Sequence, residues 1–168
     1  MRSLCFQDIK NGGTPLHWAK NKEIVVALIE AGCLTDAKNF NGDTALHVMV
    51  RHGRLDCSMA LIAYGANPNL KDQDGNTALH LACQCGHDVI VKALLIFEAD
   101  STMLNGKNET PWQVALSKAT TDASIMDFKD RKGILFAMHS IGANGDQEMP
   151  EELKMTKKAS KVNYSHGF

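Results

Sequence analysis

A chain of 168 residues with 44% hydrophobic residues, 22% charged residues and a formal net charge of -1 has the balance of an ordinary soluble protein. Such a charge leaves no large field to attract nucleic acid or anionic lipid, so binding to either by charge alone is excluded. No apolar run reaches the ~18 residues of a membrane span, and residues 1–10 lack the long apolar core of a signal peptide, which predicts a chain neither secreted nor membrane-spanning.

Residues 1–11 are too short for a structural repeat and read as the end of a preceding unit or a cap, with Leu4, Phe6 and Ile9 able to cover the next unit. They make a poor cap. Terminal repeats of a solenoid need a polar outer face, whereas the first unit here carries a full internal motif, so the array is expected to continue on the N-terminal side. That expectation describes a fragment or a truncated isoform.

From Gly13 a motif recurs: Thr14-Pro15-Leu16-His17-Trp18-Ala19, Thr44-Ala45-Leu46-His47, Thr77-Ala78-Leu79-His80-Leu81-Ala82 and Thr110-Pro111-Trp112. Its threonines are spaced by 30, 33 and 33 residues. A period near 33 built on T-P-L-H-x-A is the ankyrin signature, which predicts an all-α ankyrin-repeat solenoid of helix-turn-helix units with hairpin fingers. The expected repeats are about 12–40, 41–73, 74–106 and 107–143.

In the first repeat Thr14 suits a helix N-cap and Pro15 the first helical position, where a missing N–H costs nothing. Helices are predicted over 15–20 and 23–31, with three residues lost from the turn between them and Gly32 as a left-handed stop. The second repeat places helices over 45–52 and 55–64, with Gly53 at the turn and Gly65 as the stop. The third has Gly86 at the turn and a second helix over 88–97, but Glu98 stands where the stop glycine is expected, so that helix end is strained or differently capped. Between repeats, 38–43, 71–76 and 104–109 are rich in Asn, Asp and Gly, which tolerate left-handed geometry, and form the fingers.

The fourth repeat starts normally and then carries about eleven extra residues near 119–132, expected as a loop, before a second helix ending at Gly142-Ala143-Asn144. Residues 144–168 are polar, of mixed charge and without repeat pattern, and read as a disordered tail.

His17, His47 and His80 share one face, which invites a metal or acid–base reading. Stacked helix pairs separate them by roughly 10 Å, too far to share one zinc at ~2.1 Å. In the ankyrin pattern this histidine ties the turn through hydrogen bonds involving the threonine. Cys83-Gln84-Cys85 lacks zinc-knuckle spacing and points its thiols to different sides of a helix. The five cysteines, with Cys5, Cys33 and Cys57, show no pairing pattern and read as reduced apolar groups of a cytoplasmic protein. No metal or cofactor is expected. His52 and His87 flank turn glycines and read as solvent-exposed.

Catalytic signatures such as a G-x-S-x-G elbow, a glycine-rich phosphate loop or a zincin helix do not occur in the sequence, so no catalytic residue is assigned. Asp36, Asp43, Asp72 and Asp74 fall in finger turns, where local turn bonding is the ordinary role. The surface expected to bind is the concave side. Trp18, Val48 and Leu81 occupy the variable place of the motif, with Lys20, Arg51 and Gln84 beside it and Phe40 and Asp74 on the fingers. Either the first three form an exposed apolar stripe, or neighbouring first helices bury them against one another.

The run Thr14-Pro15-Leu16-His17-Trp18-Ala19-Lys20-Asn21-Lys22-Glu23, then Glu30-Ala31-Gly32-Cys33 and Gly42-Asp43-Thr44-Ala45-Leu46-His47-Val48-Met49-Val50, is more particular than the repeat consensus. With Leu55-Asp56-Cys57 and Glu109-Thr110-Pro111, it resembles the later repeats of the group VI calcium-independent phospholipase A2 family, beta type, in an invertebrate form. The resemblance covers about 12–118 and is weak beyond. In that family the repeats precede a patatin-like lipase domain, none of whose catalytic residues occurs here. The resemblance implies a non-catalytic regulatory module, one that docks a protein partner such as the lipase domain or the full-length enzyme, forms homo- or hetero-oligomers, dampens the lipase, and meets membranes only indirectly. Two alternatives stay open: part of an active phospholipid-hydrolysing enzyme whose patatin domain lies outside this chain, and a free-standing ankyrin adaptor.

Overall fold

The computed structural model describes residues 6–121, 125–143 and 147–148. The expectations for Leu4 and for the tail over 144–146 and 149–168 concern residues outside those described. The described residues form eight helices and no strand: α1 (Pro15–Trp18), α2 (Lys22–Glu30), α3 (Ala45–Arg51), α4 (Leu55–Ala63), α5 (Ala78–Cys85), α6 (Asp88–Ile96), α7 (Pro111–Thr121) and α8 (Ile125–Ser140). Four helix pairs follow one another, as the all-α solenoid requires.

Each pair starts for a local reason. Thr14, Thr44 and Thr77 are extended at the N-cap, and each forms a capping box with the histidine three residues on. Asn21 caps α2 by accepting the N–H of Ile24 at 2.9 Å. The first helix of the opening repeat ends at Trp18, two residues short of the expected end, because the shortened turn needs Ala19 in an extended conformation (ψ 133). At the far ends the chain reverses through left-handed Gly32, Gly65 and Gly142, and Glu98 adopts the same conformation at φ 59 despite its Cβ.

First helices α1, α3, α5 and α7 touch in succession, as do second helices α2, α4, α6 and α8, so the core is the seam between two rows. Leu16, Leu46, Leu79 and Trp112 hold one place in the motif, and all four are buried in that seam. From the other row Val25, Leu61, Leu94 and Ile134 are buried in the same cluster. Each such side chain contributes about 1.5–3 kcal/mol by leaving water.

The described part of the fourth repeat's extra length, 119–121 and 125–132, is helix rather than the expected loop. α7 runs to Thr121 and α8 begins at Ile125. The stretch 119–132 contains neither Gly nor Pro, so nothing in it stops a helix, and helix satisfies backbone groups that a loop must leave to water.

Candidate protein-interaction site

The site is built on the threonine–histidine motif and the fingers that precede it. At each motif a backbone N–H donates to Nδ1 of the histidine: Thr14 to His17 at 3.0 Å, Thr44 to His47 at 3.1 Å and Thr77 to His80 at 3.2 Å. An amide N–H only donates, so Nδ1 is the unprotonated nitrogen and the proton sits on Nε2. From Nε2 each ring donates to a carbonyl of the following repeat: Asp43 at 3.0 Å, Asn76 at 3.2 Å and Glu109 at 2.9 Å. The histidines therefore fasten both their own turn and the next finger. Burial holds the imidazoles of His47 and His80 below their ordinary pKa, since desolvation disfavours the cation. In the fourth repeat Gln113 takes the histidine's place and its Oε1 accepts the Thr110 N–H at 2.8 Å, beside Pro111 at the start of α7.

The fingers stack by backbone. Phe40 N donates to Asn11 O at 2.8 Å, Gln73 N to Asn41 O at 3.1 Å and Gly106 N to Asp74 O at 2.8 Å. A second ladder runs beside it, with Gln7 Nε2 reaching Lys38 O, Lys38 Nζ reaching Lys71 O and Lys71 Nζ reaching Leu104 O. The stacking explains the glycine at 75. Its φ is +76, and a Cβ there would lie 2.6 Å from Gly106 N.

Between the stacked fingers and α3, α5 and α7 lies an open groove of about 620 Å³, lined among others by Asp74, Leu81, Gln84, Lys107, Glu109 and Lys118. Four of the eight expected binding residues line it: Arg51, Asp74, Leu81 and Gln84. Trp18, Lys20, Val48 and Phe40 do not. Phe40 instead lays its ring against Gly12, where an added Cβ would approach Cδ1 to 2.6 Å.

Two expectations change in character. Arg51 is committed to the scaffold: it grips Asp43 bidentately at 3.0 and 3.1 Å and lies 3.8 Å from Asp72. Asp43 thus has an ion-pair role beyond turn bonding, and its carboxylate is why the guanidinium pKa is raised. The second change concerns the apolar stripe. Trp18 is 58% exposed and Val48 is half-buried, but Leu81 is only 4% exposed. Leu81 has a long first helix before it, Val48 has the four-residue α1, and Trp18 has no described helix before it. The second row repeats the pattern, with Ile24 at 46% exposure where Cys57 and Ile90, one and two repeats on, are at 3%. These places pack on the preceding repeat, and Leu81 belongs to the core.

The cysteines also divide. Cys57, Cys83 and Cys85 form no disulfide, while Cys33 is disulfide-bonded, against the expectation of reduced thiols; Cys5 lies outside the described residues. Burial pushes the Cys57 and Cys83 thiols upward, away from the reactive thiolate.

Sequence reasoning missed Lys107, Glu109 and Lys118 as groove residues. A usable signal was present, since Lys107 lies 33 residues after Asp74 and shares its place at the tip of the next finger. Lys118 shares the place of Cys85 at the end of α5, a place from which the sequence reading took no binding residue.

The comparisons with known proteins agree with this architecture. A family profile of ankyrin repeats matches residues 2–72 and 59–125. The 85/88 kDa calcium-independent phospholipase A2 of Rattus norvegicus is 47% identical over 53 residues, a match covering 32% of this chain and 7% of that protein. The protein of the same description from Mus musculus matches to the same extent.

Proposed function

The chain belongs to the ankyrin-repeat family, and we propose from that premise that it is a non-catalytic regulatory module whose groove docks a segment of a calcium-independent phospholipase A2 polypeptide. Ankyrin repeats generally mediate protein–protein contact. The observation that carries the finer reading is the 47% identity over 53 residues to two such phospholipases. The groove suits the role. Asp74 and Lys107 stand exposed at finger tips, on a scaffold whose own polar groups are largely spent on holding the fingers together. A pre-ordered surface of this kind gains affinity because little has to be frozen on binding.

The proposed partner is protein, either the lipase domain or the whole enzyme. Homo- or hetero-oligomer formation and contact with membranes only through the partner belong to the same reading. Among the described residues no helix is long and apolar enough to cross a membrane. A cytoplasmic place of action is also part of the proposal. It leans on the three cysteines that form no disulfide, and the disulfide at Cys33 argues the other way.

The test is calorimetric titration of the chain against the purified rat phospholipase, with phospholipid hydrolysis followed in parallel. Saturable binding that is weakened by Asp74→Lys and Lys107→Glu, with a change in hydrolysis rate, supports the reading. Absence of binding to enzyme and isolated lipase domain alike points to an adaptor with another partner. Fatty-acid release by the chain alone would overturn the non-catalytic assignment.

A further inference from the structure

The dipeptide Asn-Gly occurs four times: at Asn41-Gly42 and Asn105-Gly106 in fingers, at Asn11-Gly12 in the turn that stacks on the finger 38–43, and at Asn144-Gly145, outside the described residues. This pair carries its own chemistry. The glycine backbone nitrogen attacks the asparagine side-chain amide carbon and loses its proton, and the bond to the amide nitrogen breaks as ammonia leaves. The five-membered succinimide is then opened by water at either carbonyl, giving aspartate or isoaspartate. Glycine makes the step accessible because no side chain shields its nitrogen.

The nucleophile does not distinguish the three sites. Gly12 N donates to Asp8 O at 2.6 Å, Gly42 N to Asn39 O at 3.0 Å and Gly106 N to Asp74 O at 2.8 Å, so each must break one bond. The electrophile does. Asn105 is buried, with Oδ1 accepting from the N–H groups of Lys107 and Glu109 and Nδ2 donating to Asn76 Oδ1 and Glu109 Oε2. Asn11 is half-buried and its Oδ1 accepts the Gly13 N–H at 2.8 Å. Asn41 is exposed, and its side chain is not held by such a network: only its backbone is used, N–H to Asn39 Oδ1 and carbonyl to Gln73 N.

We propose that Asn41 is a site of spontaneous deamidation in the folded protein, reacting ahead of Asn11 and Asn105. The place matters because Gln73 grips both sides of it, with its N–H on Asn41 O and its Nε2 on Phe40 O. Isoaspartate routes the chain through the former side chain, adding a methylene and a free carboxylate at that contact. Gln73 lines the groove, so the modification loosens the groove's edge between the fingers 38–43 and 71–76.

The test uses the whole chain aged in mildly alkaline buffer, digested, and mapped by mass spectrometry with fragmentation that separates aspartate from isoaspartate. The expected result is conversion at Asn41 about tenfold faster than at Asn105, whose four hydrogen bonds must open first. In urea-unfolded chain the three rates converge. Asn105 or Asn11 keeping pace with Asn41 in the folded chain overturns the proposal, as does an unreacted Asn41 where the unfolded chain reacts. Hydrogen exchange supplies a second readout. The Gln73 amide loses protection in the aged protein and keeps it in aged Asn41→Gln, and unchanged protection in both overturns the structural consequence.

Discussion

His17 and Asp43 sit in successive repeats, and the imidazole Nε2 of the first donates to the backbone carbonyl of the second across 3.0 Å. The bond recurs at His47 and His80, so one neutral tautomer fastens each of three junctions. Protonating such a ring places a hydrogen on Nδ1, facing an N–H that has nothing to give but another hydrogen.

Stability is therefore expected to depend on pH in a stated direction. The folded-state pKa of His47 and of His80 lies below the ordinary value of 6.5, so in that window the unfolded chain binds more protons than the folded one. The contribution is fully present above about pH 6.5, is lost as pH falls from there, and levels off below the folded values. Urea denaturation across this range checks it. His80→Gln copies Gln113, which keeps the bond to the threonine N–H, and should flatten the slope without unfolding the chain. A slope equal to that of the wild type would show that His80 contributes none of it.

Core and surface places of the motif should separate cleanly. Leu79→Ala removes a fully buried side chain and is expected to cost about 2–5 kcal/mol. Leu81→Ser, which also leaves a hydroxyl in the seam, should lose at least about 2 kcal/mol. Trp18→Ser should stay within about 0.5 kcal/mol, because its ring is mostly in water. Denaturation midpoints decide it, and equal losses at Leu81 and Trp18 would sink the packing gradient.

Much of this was legible in the sequence because the determinants are local. Thr14, Thr44 and Thr77 set helix starts, Gly32 and Gly65 set stops, and neither depends on anything far along the chain. What was not legible depends on neighbours. The burial of Leu81 requires knowing that a long first helix precedes it, while the exposure of Trp18 requires knowing that none is described. The grip of Arg51 on Asp43 joins a helix end to a finger eight residues earlier, a spacing with no periodic signal. The helix over 119–121 and 125–132 was missed because extra length was equated with loop, although the stretch holds no Gly or Pro.

Glu98 offers a gain. It closes α6 at φ 59, where Gly32 and Gly65 close α2 and α4, and a side chain in that region costs about 1–2 kcal/mol. Glu98→Gly should raise stability by roughly 1 kcal/mol once glycine's greater unfolded freedom is subtracted. Gly65→Ala, at φ 88, should lower it by a similar amount. A destabilised Glu98→Gly in thermal melts would mean that the glutamate side chain does more than occupy the stop.

The pair of Arg51 and Asp43 can be taken apart by comparison with the next repeat, where Asn76 stands for the aspartate and Gln84 for the arginine. Asp43 is 4% exposed, so Arg51→Gln strands a buried carboxylate, while the half-exposed guanidinium limits the loss by solvent screening to about 1–2 kcal/mol. Asp43→Asn alone removes the charge and should cost less, about 1 kcal/mol. Together, the two changes reproduce the neutral arrangement of the third repeat and should recover part of the loss, with a coupling of roughly 1 kcal/mol in a double-mutant cycle.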